Sequence, residues 1–194
     1  MKKILVSCFL CSFLFSQAQY TSPAQSPRQK IEQQFSLTSI SVDYGRPAVK
    51  NRVVFGDLVP YDAVWRAGAN SSTKITFGEK VNFGGVEVPA GTYGLYIEPS
   101  KTMWRIILNK DSQSWGTQYN KELDLYSVKV PRVDLQKKVE WFTISIDPVD
   151  TMHANLTFAW DKSSATVPVS VQNVEKTKAI VEKLGEIRSI ERAK

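Results

Sequence analysis

Apolar and polar residues alternate with a period of two along most of the chain after Phe35. Such runs are typical of strands that bury one face, because successive side chains point to opposite sides of a strand. Turn sequences rich in Gly, Pro, Asp and Ser separate the runs. The pattern predicts an all-β domain over residues 35–171, an antiparallel β-sandwich of jelly-roll type. The clearest predicted strands lie at residues 92–98, 103–108, 142–146, 156–160 and 167–171.

The period changes to that of a helix at the end of the chain, over residues 172–194. Asn173 is suited to be the N-cap of this helix. The apolar positions at helical spacing are Ile180, Val181, Leu184 and Ile187. This pattern predicts one amphipathic C-terminal helix. Two interpretations stay open: the helix closes a side of the sandwich, or it binds an envelope partner or a second copy of the chain.

Residues 1–18 have the pattern of an export signal. Lys2 and Lys3 precede an apolar run over residues 4–15, and Ser16-Gln17-Ala18 has the small residues of a cleavage site. The apolar run is too short to remain as a membrane-spanning helix. We therefore expect cleavage after Ala18, no transmembrane segment, and a periplasmic or secreted protein.

The two cysteines, Cys8 and Cys11, both lie in this signal. The mature protein is thus expected to have no disulfide, no thiol nucleophile and no thiolate metal ligand. In an alternative, Cys8 is acylated and the protein is an envelope lipoprotein, although only residues 4–6 of the apolar run precede it. Residues 19–34 are polar, contain two prolines and are expected to form a lead-in to the domain.

Composition and charge exclude several classes of function. The chain has 42% apolar and 23% charged residues, as an ordinary globular domain does. Its net charge of +6 comes from dispersed lysines and arginines, so we expect no nucleic-acid partner. His153 is the single histidine, and strand parity places it on the solvent side. We expect no metal and no cofactor, because histidine and cysteine ligands are too few and no phosphate-binding loop occurs.

Carboxylates leave one route to catalysis, a hydrolase of the glycosidase type, which requires two carboxyl groups across a groove. Their positions in the sequence do not show whether two of them lie at the required separation, so enzymatic activity stays uncertain. Catalysis by other groups is not expected. The candidate carboxylates are Asp43, Asp57, Asp62, Glu79, Glu87 and Glu98.

The segment YGRPAVKNRVVFGDLVPYDAVWRAGAN, residues 44–70, concentrates charged groups beside large apolar ones. Guanidinium groups bind carboxylates in a bidentate manner, which makes the segment a candidate ligand site above Trp65. The alternative is an internal Arg–Asp network that stabilises a long loop. Trp115, in a polar loop, is a further candidate contact. The polar cluster is predicted to contain Arg52, Asp57, Tyr61, Arg66 and Asn70.

The order of several motifs resembles a known family. The segment described above is followed by AGTYGLYIEP, a strand with Trp104 that ends at Asn109, Trp115-Gly116, FTISID and LTFAWD. This series is similar to the bacterial domain-of-unknown-function family 2911 (DUF2911) over residues 22–171. The resemblance implies an exported, β-rich protein without an established activity.

Taken with the aromatic residues, these patterns favour a non-catalytic module that binds a small polar or glycan ligand. One alternative is a structural or interaction protein of the envelope that uses the C-terminal helix. The other alternative is the carboxylate-based hydrolase.

Overall fold

A computed structural model describes residues 22–115 and 117–192, which form nine strands and one α-helix. A short 3-10 helix, Lys121–Leu123, precedes the eighth strand. The elements are β1 (Arg28–Phe35), β2 (Thr38–Gly45), β3 (Thr73–Phe77), β4 (Val81–Phe83), β5 (Val86–Val88), β6 (Gly91–Pro99), β7 (Met103–Asn109), β8 (Asp124–Pro148), β9 (His153–Val171) and α1 (Val174–Arg192).

The strands form one continuous sheet in the order β1-β2-β3-β6-β7-β8-β9-β4-β5. All of its strand pairs are antiparallel. Four strands separate β3 from β4 in this order, yet the rings of Phe77 and Phe83 lie 5.8 Å apart. The sheet therefore folds back over a single core. The prediction of an all-β antiparallel domain with one C-terminal helix is confirmed, and its layers belong to one folded sheet.

Strand parity accounts for the largest core side chains. Trp104 in β7 and Trp160 in β9 are 0% and 1% exposed, as the alternation predicts. β8 is long enough to take part in both layers, because its first part pairs with β7 and its second part with β9. The partner of β8 changes between Pro131 and Arg132, and register shifts between Asp134 and Thr143 interrupt its pairing with β9.

The residues that follow β2 join it to the second part of β8. Ala48 forms an antiparallel bridge with Trp141. Four residues earlier, the hydroxyl of the buried Tyr44 accepts a hydrogen bond of 3.0 Å from the backbone amide of Ile144. These contacts fix the start of the connection over residues 46–72, which joins β2 to β3.

The structure differs from the sequence expectation at β1. Residues 28–34, which we assigned to a polar lead-in, pair with β2 along its full length. β1 lies at the edge of the sheet and exposes much of its surface, so it lacks the apolar alternation of a central strand. Its backbone hydrogen bonds to β2 hold it in place instead.

Helix α1 begins where it was predicted to begin. The side-chain oxygen of Asn173 accepts the amide hydrogen of Lys176 at 2.9 Å, which confirms the predicted N-cap. Thr177 is the one buried residue of the helix, so α1 does not close a side of the sheet. The predicted signal peptide, its cleavage after Ala18 and acylation at Cys8 lie outside the described residues. Among the described helices, none has the length and apolar character to cross a bilayer.

Candidate functional site

The connection over residues 46–72 is ordered by pairing with the sheet. Trp65 and Ile97 exchange two backbone hydrogen bonds of 2.8 Å each. Because β3 begins only at Thr73, Trp65 continues the ladder along β6 beyond the start of β3. Farther along, Ser71 bridges to Trp115. The connection is therefore held at several points, although it contains no long strand of its own.

A tight turn presents Arg52, the second arginine of the connection. Lys50 and Asn51 have φ values of 47° and 58°, and the Arg52 amide donates to the Val49 carbonyl at 3.0 Å. Positive φ at both central residues is the requirement of a type I′ turn. The Arg52 guanidinium donates to the carbonyls of Val49 and Ala48 at 3.1 and 2.6 Å. This holds the side chain while leaving other N–H groups free for an acceptor.

Trp65 forms an aromatic floor next to this turn. Its ring stacks on Trp160 at 5.4 Å with 19° between the planes, and it meets Phe142 edge-on at 4.8 Å. Its indole N–H donates to the Gly68 carbonyl at 3.0 Å. The expectation that Trp65 anchors the segment agrees with this packing against the core.

The backbone at the end of the connection packs directly against the backbone of Gly45, the last residue of β2. A Cβ atom on Gly45 would lie 2.2 Å from the Ala69 carbonyl oxygen, and one on Gly68 would lie 2.8 Å from the Gly45 carbonyl oxygen. Between them, the buried Ala67 has a φ of 48°, which is unusual for a residue with a side chain. Its carbonyl accepts a hydrogen bond of 2.7 Å from the hydroxyl of Thr73. The loop is thus built tightly and retains local strain.

A cavity of about 420 Å³ lies between the turn and the floor. Three cationic residues line it, Lys50, Arg52 and Arg66, and the described residues of its lining include no carboxylate. Trp65 supplies aromatic surface, and Trp160, which is 1% exposed, packs against it from the core. The other lining residues are mainly small or apolar: Pro47, Ala48, Leu58, Val59, Pro60, Ala63, Val64, Gly68 and Ala69, with Gln25 and Ser26 from the N-terminal segment.

The positive charge at this cavity is largely uncompensated. The Nε atom of Arg66 is buried and has no hydrogen-bond partner. Within the described part of the chain, no ion pair joins Arg52 or Arg66 to a carboxylate. A buried donor without an acceptor costs about 1–3 kcal/mol.

Glu140 is the acidic residue beside the turn. Its Oε1 atom accepts the backbone N–H of Lys50 at 2.8 Å. That hydrogen bond is the main cause that holds the pKa of Glu140 below its ordinary value. A hydrogen bond from Lys138 and the charge of Arg52 also lower this pKa. Glu140 is exposed and is not part of the cavity lining, so it leaves the site cationic.

The structure brings two of the predicted site residues, Arg52 and Arg66, to one cavity. The others lie outside its lining. Asp57 and Asn70 are exposed, Tyr61 lies against Gly56, and Trp115 is 56% exposed. Asp57 takes part in no ion pair of the described residues, so these side chains form no Arg–Asp network.

Among the polar and aromatic residues of the lining, sequence reasoning missed four: Lys50, Trp160, Gln25 and Ser26. Lys50 was within the segment, and its place in a Lys-Asn turn before an arginine was a usable signal. The two N-terminal residues carried no such signal. The carbonyl of Pro27 accepts the Arg46 amide hydrogen at 2.9 Å, which brings the N-terminal segment to the cavity.

Three of the six carboxylates proposed for a hydrolase are paired with cations. Asp43 pairs with Arg28 at 2.7 Å, Glu87 pairs with Lys80 at 2.7 Å, and Glu98 pairs with Arg105. The hydrogen bond from Lys80 holds the pKa of Glu87 below its ordinary value, which makes it a poor general acid. None of the six lines this cavity, although Glu79 and Glu87 share one other pocket and Asp62 and Glu98 share another.

The remaining polar groups serve the structure of the loops. Asp124 accepts hydrogen bonds from Tyr119 at 2.5 Å and from Asn109 at 2.8 Å, below the loop that carries Trp115. Burial first, and then the bond to Asp124, raise the pKa of Tyr119.

His153 forms a pair with Asp150 at 2.8 Å and is substantially exposed. In the described ranges, no cluster of three His, Cys, Asp or Glu residues is arranged to hold a metal ion.

The fold and the cavity together define an all-β antiparallel domain that holds a cation-lined pocket on one long interstrand connection. The chain belongs to the DUF2911 family, described as proteins of unknown function, whose model matches residues 26–169. That range includes every strand almost to the end of β9 and the whole of the connection, and it stops before α1. Comparison with curated proteins and with solved structures gave no match.

Proposed function

We propose that this domain is a binding module for a small organic anion and that the cavity beside residues 46–72 is the binding site. The observation that carries the proposal is the lining itself. Three cationic side chains and a buried, unpartnered Arg66 Nε face no carboxylate among the described lining residues. Guanidinium groups are suited to carboxylate ligands, because they offer parallel N–H donors.

The rest of the lining favours a ligand with an apolar body. Leu58, Val64 and Trp65 provide surface for a ring or a short hydrocarbon chain, and the buried Trp160 stacks on Trp65. A sugar hydroxyl needs hydrogen-bond partners, and Gln25 and Ser26 are the few neutral polar side chains that line the cavity. An aromatic or branched carboxylate therefore fits the site better than a neutral glycan, while an acidic sugar shares only the anionic group.

The volume supports a small ligand. About 420 Å³ lies in the range of small-molecule sites, which extends from roughly 300 to 1,000 Å³. We place this binding outside the cytoplasm, as the export signal at residues 1–18 predicts. Cleavage after Ala18 would leave Gln25 and Ser26 close to the mature N-terminus, where they form part of the cavity wall.

Titration calorimetry with matched pairs of compounds tests the proposal. Phenylacetate is compared with its neutral amide, and glucuronate is compared with glucose. We expect phenylacetate to bind, its amide to bind much more weakly, and glucose not to bind. Failure of every carboxylate to bind, or equal binding of the acid and its amide, would contradict an anion site.

Arg66→Gln then tests the residue that carries the argument. A hydrogen bond to a charged group contributes about 1.5–3 kcal/mol, so its loss should weaken phenylacetate binding about ten- to a hundredfold. Lys178→Gln on α1 is the matched control, because α1 contributes no residue to the cavity lining. If Arg66→Gln lowers the free energy of unfolding by about 3 kcal/mol or more, Arg66 has a structural role instead.

A further inference from the structure

The cations that line the cavity come from two separate parts of the connection. Lys50 and Arg52 belong to the tight turn, and both side chains are exposed. Arg66 follows Trp65, whose backbone is bound to Ile97 of β6, and its side chain is half-buried. The cavity therefore has two exposed cations at its rim, which we call the rim pair, and a third cation that is more deeply buried.

The protein holds both guanidinium groups in place. The Nε and Nη2 atoms of Arg52 donate to the carbonyls of Val49 and Ala48, and its Nη1 atom has no partner among the described residues. The buried Nε atom of Arg66 shows that the stem of this side chain is packed within the protein. The two oxygens of one carboxylate match the parallel N–H donors of one guanidinium. Two arginines fixed on different segments are therefore suited to two carboxylates.

The carboxylate beside the turn does not offset the charge of the cavity. Glu140 accepts the backbone N–H of Lys50, but the Nζ atom of Lys138 pairs with the same carboxylate at 3.1 Å. The charge of Lys138 thus offsets that of Glu140, and the described lining keeps three cations and no carboxylate. A ligand with one negative charge would leave two of these cations without a counter-charge, whereas a ligand with two would leave one.

We propose that the ligand of this site is a dicarboxylate, in which a ring or a short hydrocarbon chain joins two carboxylate groups. This inference rests on the proposed anion site and adds the number and the placement of the negative charges. The first carboxylate binds Arg66 beside Trp65, where partial burial reduces screening by water. The second carboxylate binds the Nη1 atom of Arg52 and the Nζ atom of Lys50 at the rim.

Titration calorimetry with ortho-, meta- and para-phenylenediacetate tests the number of charges. Each compound is phenylacetate with a second carboxymethyl group, and the three isomers differ in the spacing of the carboxylates. An exposed ion pair contributes up to about fivefold in affinity, and the rim pair offers two cations. We therefore expect at least one isomer to bind about fivefold or more tightly than its own monoamide, which has the same shape and one charge. Affinities within about twofold for all three pairs would overturn the inference.

Arg52→Gln tests where the second carboxylate binds. This variant should lose the advantage of the best isomer over its monoamide and should still bind phenylacetate, which shows that the cavity remains folded. Lys137→Gln is the matched control, because it removes the same charge from an exposed residue of β8 outside the cavity lining. An advantage that persists in Arg52→Gln, or that Lys137→Gln also removes, would overturn the assignment to Arg52.

Salt provides a readout that needs no variant. Because the rim pair is exposed, the advantage of the dicarboxylate should shrink between about 0.01 M and about 1 M sodium chloride, as the Debye length falls from about 30 Å to about 3 Å. A constant advantage would contradict binding at the rim. If phenylacetate binds and no isomer exceeds its monoamide, the dicarboxylate inference fails while the anion site stands. If neither phenylacetate nor any isomer binds, both proposals fail.

Discussion

The hydroxyl of Tyr44 offers a direct test of how the sheet is folded back on itself. Tyr44 is fully buried at the end of β2, and its hydroxyl accepts the Ile144 amide hydrogen of β8 at 3.0 Å. It donates in turn to Gln29 of β1 at 3.0 Å or to the Ile144 carbonyl at 3.3 Å. One hydroxyl therefore joins three strands. Tyr44→Phe removes it and keeps the ring, which meets Phe142 edge-on at 5.8 Å.

The size of the effect follows from the group left behind. In the Tyr44→Phe variant, the Ile144 amide becomes a buried donor without an acceptor, which costs about 1–3 kcal/mol. For a chain of this size, each kcal/mol lowers Tm by about 2–4 °C. We therefore expect urea denaturation to show a loss of about 1–3 kcal/mol and thermal unfolding to shift by about 2–12 °C.

Tyr126→Phe is the matched control for this prediction. Tyr126 packs partly buried against the core, and its hydroxyl has no hydrogen bond to the described residues. Its change should stay within about 0.5 kcal/mol. Equal losses from the two variants, or an unchanged Tyr44→Phe protein, would refute the argument that this hydroxyl joins β2 to β8.

Alkaline pH adds a second readout for Tyr44. Burial is the main cause that raises its pKa above the ordinary value near 10. Above about pH 10 the unfolded chain loses this proton while the folded chain keeps it, so the folded state binds more protons and stability falls as pH rises. Tyr44→Phe cannot lose stability in this way. We expect the stability difference between the wild type and Tyr44→Phe to shrink above about pH 10.

Two further substitutions test the loop that forms the cavity. Gly45→Ala should lower the free energy of unfolding, measured by urea denaturation, by about 3 kcal/mol, because its Cβ would lie 2.2 Å from the Ala69 carbonyl oxygen. Gly185→Ala is the control and should not lower it, because its Cβ would have no neighbour within 4 Å. Trp65→Ala should cost about 3–5 kcal/mol and remove the exciton signal of the stacked Trp65–Trp160 pair from the circular dichroism spectrum. A stable Gly45→Ala protein or an unchanged spectrum would contradict the packing described for this loop.

The sequence predicted the parts of the fold that depend on burial of one strand face. Trp104 and Trp160 point into the core because they lie in central strands, where parity decides exposure. β1 was not predicted because it is an edge strand held by backbone hydrogen bonds to β2. Such hydrogen bonds do not require apolar side chains to alternate along the strand. Parity could also not show that the layers belong to one sheet, since that depends on which strands pair.

The candidate site was predicted as a segment rather than as a set of contacts. Composition singled out residues 44–70, and two arginines of that segment line the cavity. Trp160 and Gln25 reach the same cavity from distant parts of the chain, which no local pattern records. Asp57 was predicted to join the cluster because it is near in sequence, but the turns of the connection leave it exposed.

The arrangement of charges is the strongest argument that this loop binds a ligand. A loop selected only for stability could pair Arg66 with Asp57 or Asp62, which are close in sequence and would offset the cost of a buried guanidinium. Both aspartates are exposed instead, and Asp62 has a left-handed φ of 58° that places it in a turn. The buried Ala67 also has a positive φ. The connection therefore retains backbone strain and unpaired positive charge at one cavity. An anionic ligand would offset the positive charge of Lys50, Arg52 and Arg66, and that accounts for a structure that is otherwise costly to fold.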